Sequence, residues 1–487
     1  MIYVNKSIHP ELEKNINGLK KCFYHTPSLS TRKLEVGTEN TICMTLVYME
    51  ELVDTEKIET HLIEPLLKFH EEIHWDEKSI EHITQKIIKT AGVNIADSMQ
   101  EVIDALLDGQ TVLFIDGLTR GIIAKTAQMK ERNLEQVISE RSPKGSMVAL
   151  TEKLNTNLGL LRGMIKTPHF CADSLNIGNL SKTSVSILYI QGVVDQDVLA
   201  EVKRRIDKLK VNYVLEGKLI EEAMEDPSKV FLFSMSEITE RPDVISSSLY
   251  DGKVVVLVDG NPYGIILPGL FVSSLQAPDE YNQKLGRFTI RLIRLISFIM
   301  TIYIPSAYVV ISKFYSDRLP KNIAETLFKG DELLSPFWSM IALFFLLTVL
   351  ADAIFRIPQS AIVFVSLLAT IAIGETAVSA KIIHPFSLIL VAITYLTSTL
   401  LASKQMAAPT NTLRFAFLWI GNFVGITGMV VGSTLLLLYM VFLRSVGVPY
   451  LSPIIPFRIQ EFQDTFFRGR LEKINNSKHS YPNLNSK

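Results

Sequence analysis

Residues 108–123 read DGQTVLFIDGLTRGII, and residues 251–266 read DGKVVVLVDGNPYGII. The two stretches align without a gap and share both Asp-Gly pairs, one valine, the next glycine and the final pair of isoleucines. Upstream of each copy, an apolar run with a tyrosine precedes Val-Asp and a charged helical pattern, at Val53-Asp54 and at Val194-Asp195. A unit of about 140 residues therefore occurs twice.

Each copy of the repeat predicts a β-hairpin. The β-branched runs Thr111–Ile115 and Val254–Val258 are typical of buried strands, and Asp-Gly supplies the positive φ that a tight turn requires. Helical patterns precede both hairpins, so each unit is predicted to form a small α/β lobe. Turn chemistry accounts for Asp116 and Asp259, with metal or phosphate binding as the alternative.

The predicted fold class is an α/β soluble N-terminal domain of two duplicated lobes, followed by an all-α multi-span membrane domain. The predicted parts are an N-terminal extension at 1–40, a first cytosolic lobe at 41–141, a linker and connecting helix at 142–183, a second cytosolic lobe at 184–285, a transmembrane domain at 286–445 and a basic cytosolic tail at 446–487.

The membrane domain is indicated by a change of composition near residue 290. Charged residues interrupt almost every apolar stretch before this point, whereas apolar runs of membrane length follow it. A bilayer-spanning helix takes about 20 residues, so five or six spans are expected. The runs are Leu295–Ser312, Phe337–Phe355, Ala361–Ala380, Ile382–Ser403 and Phe415–Leu443.

Several function classes find no support in the composition. A net charge of −1 and a mean hydropathy of +0.25 do not indicate nucleic-acid binding. Cys22, Cys43 and Cys171 are too far apart to define a metal site or a disulfide framework. No catalytic motif is present, so neither an enzyme nor a cofactor is expected. The polar N-terminus predicts no signal peptide, which favours a cytosolic N-terminal domain.

Arginines flank the membrane runs. Arg287, Arg291 and Arg294 share one helical face just before the first run, and Arg444 follows the last. Together with a basic tail, they are predicted to be membrane-interface anchors on the cytosolic side.

Glycines recur on one face of the last run, at Gly421, Gly425, Gly428 and Gly432. Such a row permits close helix packing or a break in the helix. Because five spans from a cytosolic N-terminus would leave the basic tail outside, we expect this run to turn back on itself.

Polar side chains inside the runs indicate either an ion pathway or helix packing, and the sequence does not decide between them. An intramembrane carboxylate is costly and must face protein or water, and hydroxyl stripes occur in both settings. The candidate pathway residues are Glu375, Thr376, Ser379, Ser387, Thr394 and Ser398. Asp352 lies four residues before Arg356, where a local ion pair is expected.

A set of short motifs occurs in a fixed order along the chain. They are Thr156-Asn157, Glu240-Arg241-Pro242-Asp243, Arg291-x-x-Arg294, Gly374-Glu375, and residues 443–453 with Gly447, Pro449 and Tyr450. In these motifs the chain resembles the A subunit of the GerA-type nutrient germinant receptors of endospore-forming bacteria. The resemblance covers roughly residues 40–456.

The resemblance implies a multi-pass subunit of the spore inner membrane with a cytosolic N-terminal domain. It implies assembly with a transporter-like B subunit and a lipoprotein C subunit. It also implies a homo-oligomer, with a pentamer as the expected form, that opens as a channel for monovalent cations when germinant binds and so triggers germination. The alternatives are a secondary transporter, which would predict inverted repeats among the spans, and a membrane-anchored signalling scaffold.

Overall fold

The computed structural model describes residues 7–37, 41–69, 76–128, 140, 146–225, 232–276, 287–328, 332–354, 356, 361, 375–401 and 403–457. Within these residues, two sheet-containing lobes precede a helical region, which confirms the predicted fold class.

The first lobe is built around a five-stranded antiparallel sheet of order β1-β2-β4-β5-β3. Apolar clusters cover both faces of this sheet. Its elements are α1 (Leu12–Cys22), β1 (Leu29–Val36), β2 (Ile42–Met49), α2 (Thr55–Ile58), α3 (Glu64–Leu67), α4 (Glu77–His82), β3 (Val93–Ala96), α5 (Met99–Leu107), β4 (Thr111–Ile115) and β5 (Gly121–Ala124), with π-helical turns at Glu59–Ile63 and Ile83–Ile87.

The second lobe repeats the first. Its antiparallel sheet has the order β6-β7-β9-β10-β8, which is the same topology. The duplication predicted from the Asp-Gly repeat is therefore confirmed. Its elements are α6 (Leu154–Met164), β6 (Phe170–Ile177), β7 (Thr183–Ile190), α7 (Gln196–Asp207), α8 (Lys218–Ala223), β8 (Glu237–Thr239), α9 (Pro242–Tyr250), β9 (Val254–Val258) and β10 (Gly264–Leu267).

The predicted lobe boundaries at 41 and 184 are wrong, because each lies inside a sheet. β1 pairs with β2 along eight residues, so the supposed extension supplies an edge strand of the first lobe. β6 pairs with β7 in the same way, so the supposed linker belongs to the second lobe. An edge strand exposes one face to water and lacks a long apolar run, as the exposed Thr31, Arg32 and Lys33 show.

The Asp-Gly turns fold as predicted and also hold the first helix of each lobe. Gly117 and Gly260 have φ of 83° and 82°. Asp116 Oδ1 accepts a hydrogen bond from the backbone N of Leu12 at 3.5 Å, and Asp259 Oδ1 accepts one from Leu154 at 3.0 Å. Both aspartates therefore cap a helix N-terminus, which explains them without a ligand.

The helical region contains α10 (Arg287–Val310), α11 (Lys321–Phe328), α12 (Pro336–Ile354), α13 (Thr376–Ser379), α14 (Pro385–Thr399) and α15 (Ala407–Phe442), then the short strands β11 (Arg444–Ser445) and β12 (Val448–Pro449). A π-helical turn, Ile311–Tyr315, and a 3-10 turn, Ser316–Arg318, extend α10. Three described helices are long and apolar enough to cross a membrane: Ile290–Arg318, Pro336–Ala353 and Ala407–Phe442. Most of the predicted third run, residues 362–374, lies outside the described part of the chain.

The longest helix doubles back on itself at Gly425, which has φ 72° and ψ −152°. A Cβ on Gly432 would lie 3.2 Å from the ring of Phe417, whereas a straight helix would separate these residues by about 22 Å. We call residues 407–424 the first arm and residues 426–442 the second arm. The prediction that the glycine-rich run turns back on itself is therefore confirmed.

The hairpin returns the chain to the side of the membrane region from which α10 starts. At its tip, Gly425 lies against Phe314 near the far end of α10. There, Lys313 Nζ donates to the backbone carbonyl of Asn422 at 2.7 Å, and so satisfies an acceptor that the break leaves without a helical partner. At its base, Leu443 and Met406 pack in one apolar cluster.

Candidate functional site: the junction between the second lobe and the membrane helices

The segment after the hairpin joins the second lobe to the membrane helices, and we call residues 443–452 the junction segment. Its Tyr450 is 2% exposed. The ring stacks on Phe233 at 5.7 Å between centroids and meets Phe271 edge-on at 6.2 Å. The hydroxyl lies 4.0 Å from Sδ of Met406. One aromatic side chain thus contacts the loop before β8, the chain after β10 and the base of the hairpin.

Burial raises the pKa of Tyr450, so this side chain stays neutral at physiological pH. Backbone hydrogen bonds hold the same contact, because the N–H of Phe271 donates to the carbonyl of Tyr450 at 3.0 Å. The hydroxyl of Ser445 donates to the carbonyl of Met235 and accepts from the N–H of Gly269. A Cβ on Gly269 would lie only 2.7 Å from the backbone of Ser236, so this approach requires glycine.

Val446 connects the junction segment to the core of the second lobe. Its side chain is 2% exposed and belongs to the apolar cluster that includes Val256 and Leu267 of the sheet. Its φ is 44°, which is unfavourable for a β-branched residue and costs about 1–3 kcal/mol. Surrounding packing must hold this conformation, and such strain is characteristic of switch regions.

The Glu240-Arg241-Pro242-Asp243 motif holds the chain that connects the lobes. Arg241 is 1% exposed and binds both carboxylate oxygens of Asp243, at 3.1 and 2.6 Å. It also donates to the carbonyl of Glu140 at 3.1 Å, while Glu240 Oε1 accepts from the N–H of Glu140 at 3.1 Å. Pro242 is the first residue of α9, a position that suits its fixed φ.

The Thr156-Asn157 motif forms part of a duplicated turn. Asn157 accepts from the N–H of Thr151 at 2.8 Å and donates to its carbonyl at 2.7 Å. Asn15 makes the same pair of bonds to His9, at 2.9 and 2.6 Å. Thr156 is half-buried in α6. The motif therefore orders the start of α6, and sequence analysis missed its copy in the first lobe.

Arg162 of α6 crosses into the first lobe. It is 1% exposed, and its Nε lies 3.7 Å from a carboxylate oxygen of Glu51. Its terminal nitrogen donates to Ser28 Oγ at 2.9 Å, and the guanidinium lies 5.0 Å from the ring centre of Phe170. Burial lowers the pKa of Arg162, and Glu51 opposes this shift. The two lobes therefore share a buried ion pair.

The predicted interface anchors Arg291 and Arg294 are buried, with exposures of 4% and 7%. Arg294 donates to the carbonyl of Leu275 at 3.0 Å and so ties α10 to the chain after β10. This contact with the protein is a tertiary feature that the sequence pattern did not predict. The side chain of Arg287 lies outside the described part of the structure, and the exposed Arg444 donates to the carbonyl of Gly447.

The predicted ion-pathway residues do not share one face. Ser387 and Thr394 of α14 are fully buried. Ser387 donates to the hydroxyl of Tyr308 in α10 at 3.2 Å, and Thr394 donates to the carbonyl of Leu390 at 2.7 Å. Helix packing accounts for both residues.

Of the remaining four candidates, Glu375, Thr376 and Ser379 are exposed and Ser398 is half-buried. Ser398 donates to its own helix at Tyr395. Glu375 directly precedes α13, about one turn before that helix ends at Ser379. Glu375 therefore lies near the C-terminal end of this described helix.

Sequence analysis missed Arg414, because the last apolar run was started one residue after it. Arg414 lies in the first arm and is 4% exposed, with its guanidinium 4.0 Å from the ring centre of Phe344 in α12. It donates to Oδ1 of Asn411 at 2.8 Å. The sequence signal that could have identified Arg414 is its position as a charged residue inside an apolar helix. Among the described residues no cluster of three or more metal-ligating side chains occurs.

Comparison with known proteins identifies the family of this chain. The sequence profile of the family described as Bacillus/Clostridium GerA spore germination protein matches residues 17–480. The chain belongs to the GerA family. Spore germination protein KA of Bacillus subtilis (strain 168) is 30% identical over 465 residues, covering 95% of this chain and 85% of the relative. Spore germination protein GerLA of Bacillus cereus is 28% identical over 444 residues, covering 90% and 89%.

A solved structure of the same GerA type is also similar. The N-terminal domain of the A subunit of the Bacillus megaterium spore germinant receptor GerK3 is 28% identical, with a TM-score of 0.44, and the match covers 55% of this chain and 98% of that one. In this GerA-family chain, the motif residues Gly447, Pro449 and Tyr450 lie in the junction segment. Gly447 has φ 92° in the turn between β11 and β12.

Proposed function

We propose that this chain is the A subunit of a nutrient germinant receptor in the spore inner membrane, and that its helices form a cation channel with further copies of the chain. The junction is the observation that carries the proposal. It joins the second lobe to the hairpin and to α10 through buried contacts, so a change in the lobes can reach the membrane helices. A passive anchor would need no such connection.

Exposed polar residues in the helical region support an assembly of several copies. Glu375, Thr376 and Ser379 are exposed on the single chain, and Ser398 is half-buried. Exposure to hydrocarbon would be costly for the carboxylate of Glu375. Contact with another subunit or with water avoids this cost. A ring of carboxylates from several copies would concentrate monovalent cations. The proposal assigns no catalytic step, cofactor or nucleic acid to the chain.

The proposed orientation places both lobes and the junction segment in the cytosol. The lobes and residues 443–452 lie on one side of the helices, and the basic residues beyond 457 favour the cytosolic side. The partners in this proposal are a transporter-like B subunit and a lipoprotein C subunit, because the relatives are germination proteins of the GerA family.

Reconstitution distinguishes the channel from its alternatives. The complete receptor, in liposomes loaded with potassium, is exposed to a panel of amino acids and sugars. A channel releases potassium rapidly after addition of the active germinant. A secondary transporter would accumulate the nutrient without a matching conductance, and a scaffold would give neither signal. Either of the last two results would overturn the proposal.

A further inference from the structure

A groove of 540 Å³ lies between the end of α10 and the second arm of the α15 hairpin. Its walls are almost entirely apolar and include Ala307 and Ile311 on one side and Ile426 and Val430 on the other. Binding sites of this size with an apolar lining and few polar groups are typical of small hydrophobic ligands. The groove opens toward the membrane, because Val430 and Leu437 on its rim are more than half exposed.

We propose that this groove binds one acyl chain of an anionic phospholipid in the leaflet farther from the lobes. The groove follows α10 from Tyr303 to Tyr315, which is about 18 Å of helix. It begins near the hairpin tip and ends near the middle of α10. One leaflet contributes about half of the 30 Å hydrocarbon thickness, so the length suits a single acyl chain.

The inner end of the groove is apolar and its mouth carries a cation, which suits the acyl chain and the phosphate of an anionic lipid. At the inner end, the hydroxyl of Tyr303 donates to Ser433 Oγ at 2.8 Å, so the two polar groups satisfy each other and leave an apolar surface. At the mouth, the guanidinium of Arg318 lies 5.3 Å from the ring centre of Tyr315, which lines the groove.

The charge near the mouth favours a phosphate headgroup. Lys313 and Arg318 are exposed at the end of α10, and with Asp317 they sum to one positive charge. A cation at the membrane surface attracts anionic lipid headgroups. The charge and the length together favour a lipid.

Photolabelling of the full-length chain tests the proposal without relying on channel activity. The chain is reconstituted in phosphatidylcholine vesicles that contain a photoreactive phosphatidylglycerol with a diazirine in its acyl chain. We expect adducts concentrated on peptides 303–315 and 426–437. Phosphatidylglycerol should give about fivefold more adduct than a photoreactive phosphatidylcholine, which corresponds to one favourable headgroup charge.

Paired variants separate the groove from ordinary lipid contact. Ala307→Phe should remove the adducts by filling the groove, whereas Ala342→Phe, on the exposed face of α12, should leave them unchanged. Arg318→Gln should abolish the preference for phosphatidylglycerol, whereas Arg356→Gln, an exposed cation elsewhere on the chain, should not. If Ala307→Phe does not fold, Val430→Trp obstructs the same groove from its exposed rim.

Three results would overturn the proposal. Adducts spread evenly over all lipid-facing helices, and insensitive to Ala307→Phe, would show ordinary surrounding lipid only. Equal labelling by phosphatidylglycerol and phosphatidylcholine would show that the groove does not select an anionic headgroup. Disulfide formation between Ser433→Cys residues of two copies, with loss of labelling when the copies associate, would make the occupant a second copy of this chain.

Discussion

At the scale of single residues, the Arg162–Glu51 pair shows what a buried charge does in this protein. The pair joins two lobes that have separate cores, and the salt bridge at 3.7 Å is longer than a good hydrogen bond. A buried pair contributes little net stability, but removal of one partner leaves a buried charge without compensation. The pair therefore specifies how the lobes dock rather than how firmly each lobe folds.

Replacement of Arg162 by methionine should destabilise the docking of the lobes by about 3–5 kcal/mol, because Glu51 would remain buried and charged. The measurement is hydrogen exchange of the full-length chain in detergent, read on peptides from α6 and β2. The double variant Arg162→Met/Glu51→Gln is the control and should recover most of the loss. If the single variant exchanges like the wild-type chain, the pair has no such role.

Glu375 is the exposed carboxylate whose charge the channel proposal uses. Glu375→Gln keeps the size of the side chain and removes the charge, so we expect normal assembly with reduced cation flux and altered cation selectivity. Potassium and sodium efflux from reconstituted receptor provides the measurement, and Asp352→Asn, at another exposed carboxylate, is the matched control. Unchanged flux and selectivity would remove Glu375 from the permeation path.

At the scale of elements, the reversal of α15 rests on one glycine. The conformation at Gly425 is closed to residues with a side chain, and Lys313 supports the break by binding the carbonyl of Asn422. Two arms of 17 or 18 residues, each about 26 Å long, replace one helix of about 54 Å, and each arm approaches the thickness of a bilayer.

A substitution at this glycine should change the topology of everything that follows it. With Gly425→Leu, we expect the hairpin to be lost, so that a cysteine introduced at Ile455 is no longer labelled from the side of the lobes. Gly163→Leu is the matched control, because Gly163 is helical and has open space around it. Labelling of Gly425→Leu at the wild-type level would show that the reversal does not depend on this glycine.

Local patterns predicted the elements with strong periodicity and a defined turn. The two hairpins were recognisable because β-branched runs flank Asp-Gly, and the reversal of α15 was recognisable because the glycines precede a basic tail. The edge strands β1 and β6 were missed, since an exposed edge has no continuous apolar pattern. Asn15 was missed because the residues around it differ from those around Asn157.

The junction could not be predicted from local pattern. The Ser445–Met235 hydrogen bond joins residues 210 positions apart, and the stacking of Tyr450 on Phe233 is equally distant in sequence. The resemblance marked Gly447, Pro449 and Tyr450 as a motif, but only tertiary packing shows what they contact. Burial of Arg291 and Arg294 is likewise a tertiary effect that the local pattern did not predict.

At the scale of the whole molecule, the described chain enters the membrane helices at the start of α10 and leaves them after α15 on the same side. The loop that carries Leu333 is on the opposite side, where Leu333 bonds to the backbone of Lys381. A membrane-impermeant thiol reagent should therefore label Ile455→Cys and the native Cys43 from one side only, and Leu333→Cys from the other. The labelling uses a chain with the remaining cysteines replaced by serine. Opposite-side labelling of Ile455→Cys would contradict this topology.

The central claim is that the second lobe controls the membrane helices through the junction, and germinant-triggered potassium efflux from liposomes with the reconstituted receptor tests it most directly. Tyr450→Ala removes the buried side chain that packs between the second lobe and the base of the hairpin, whereas Tyr250→Ala removes an exposed tyrosine from the same lobe. We expect Tyr250→Ala to respond like the wild-type receptor, and Tyr450→Ala to assemble and insert but to lose the dependence of efflux on germinant. Normal germinant-triggered efflux from the Tyr450→Ala receptor would contradict the account.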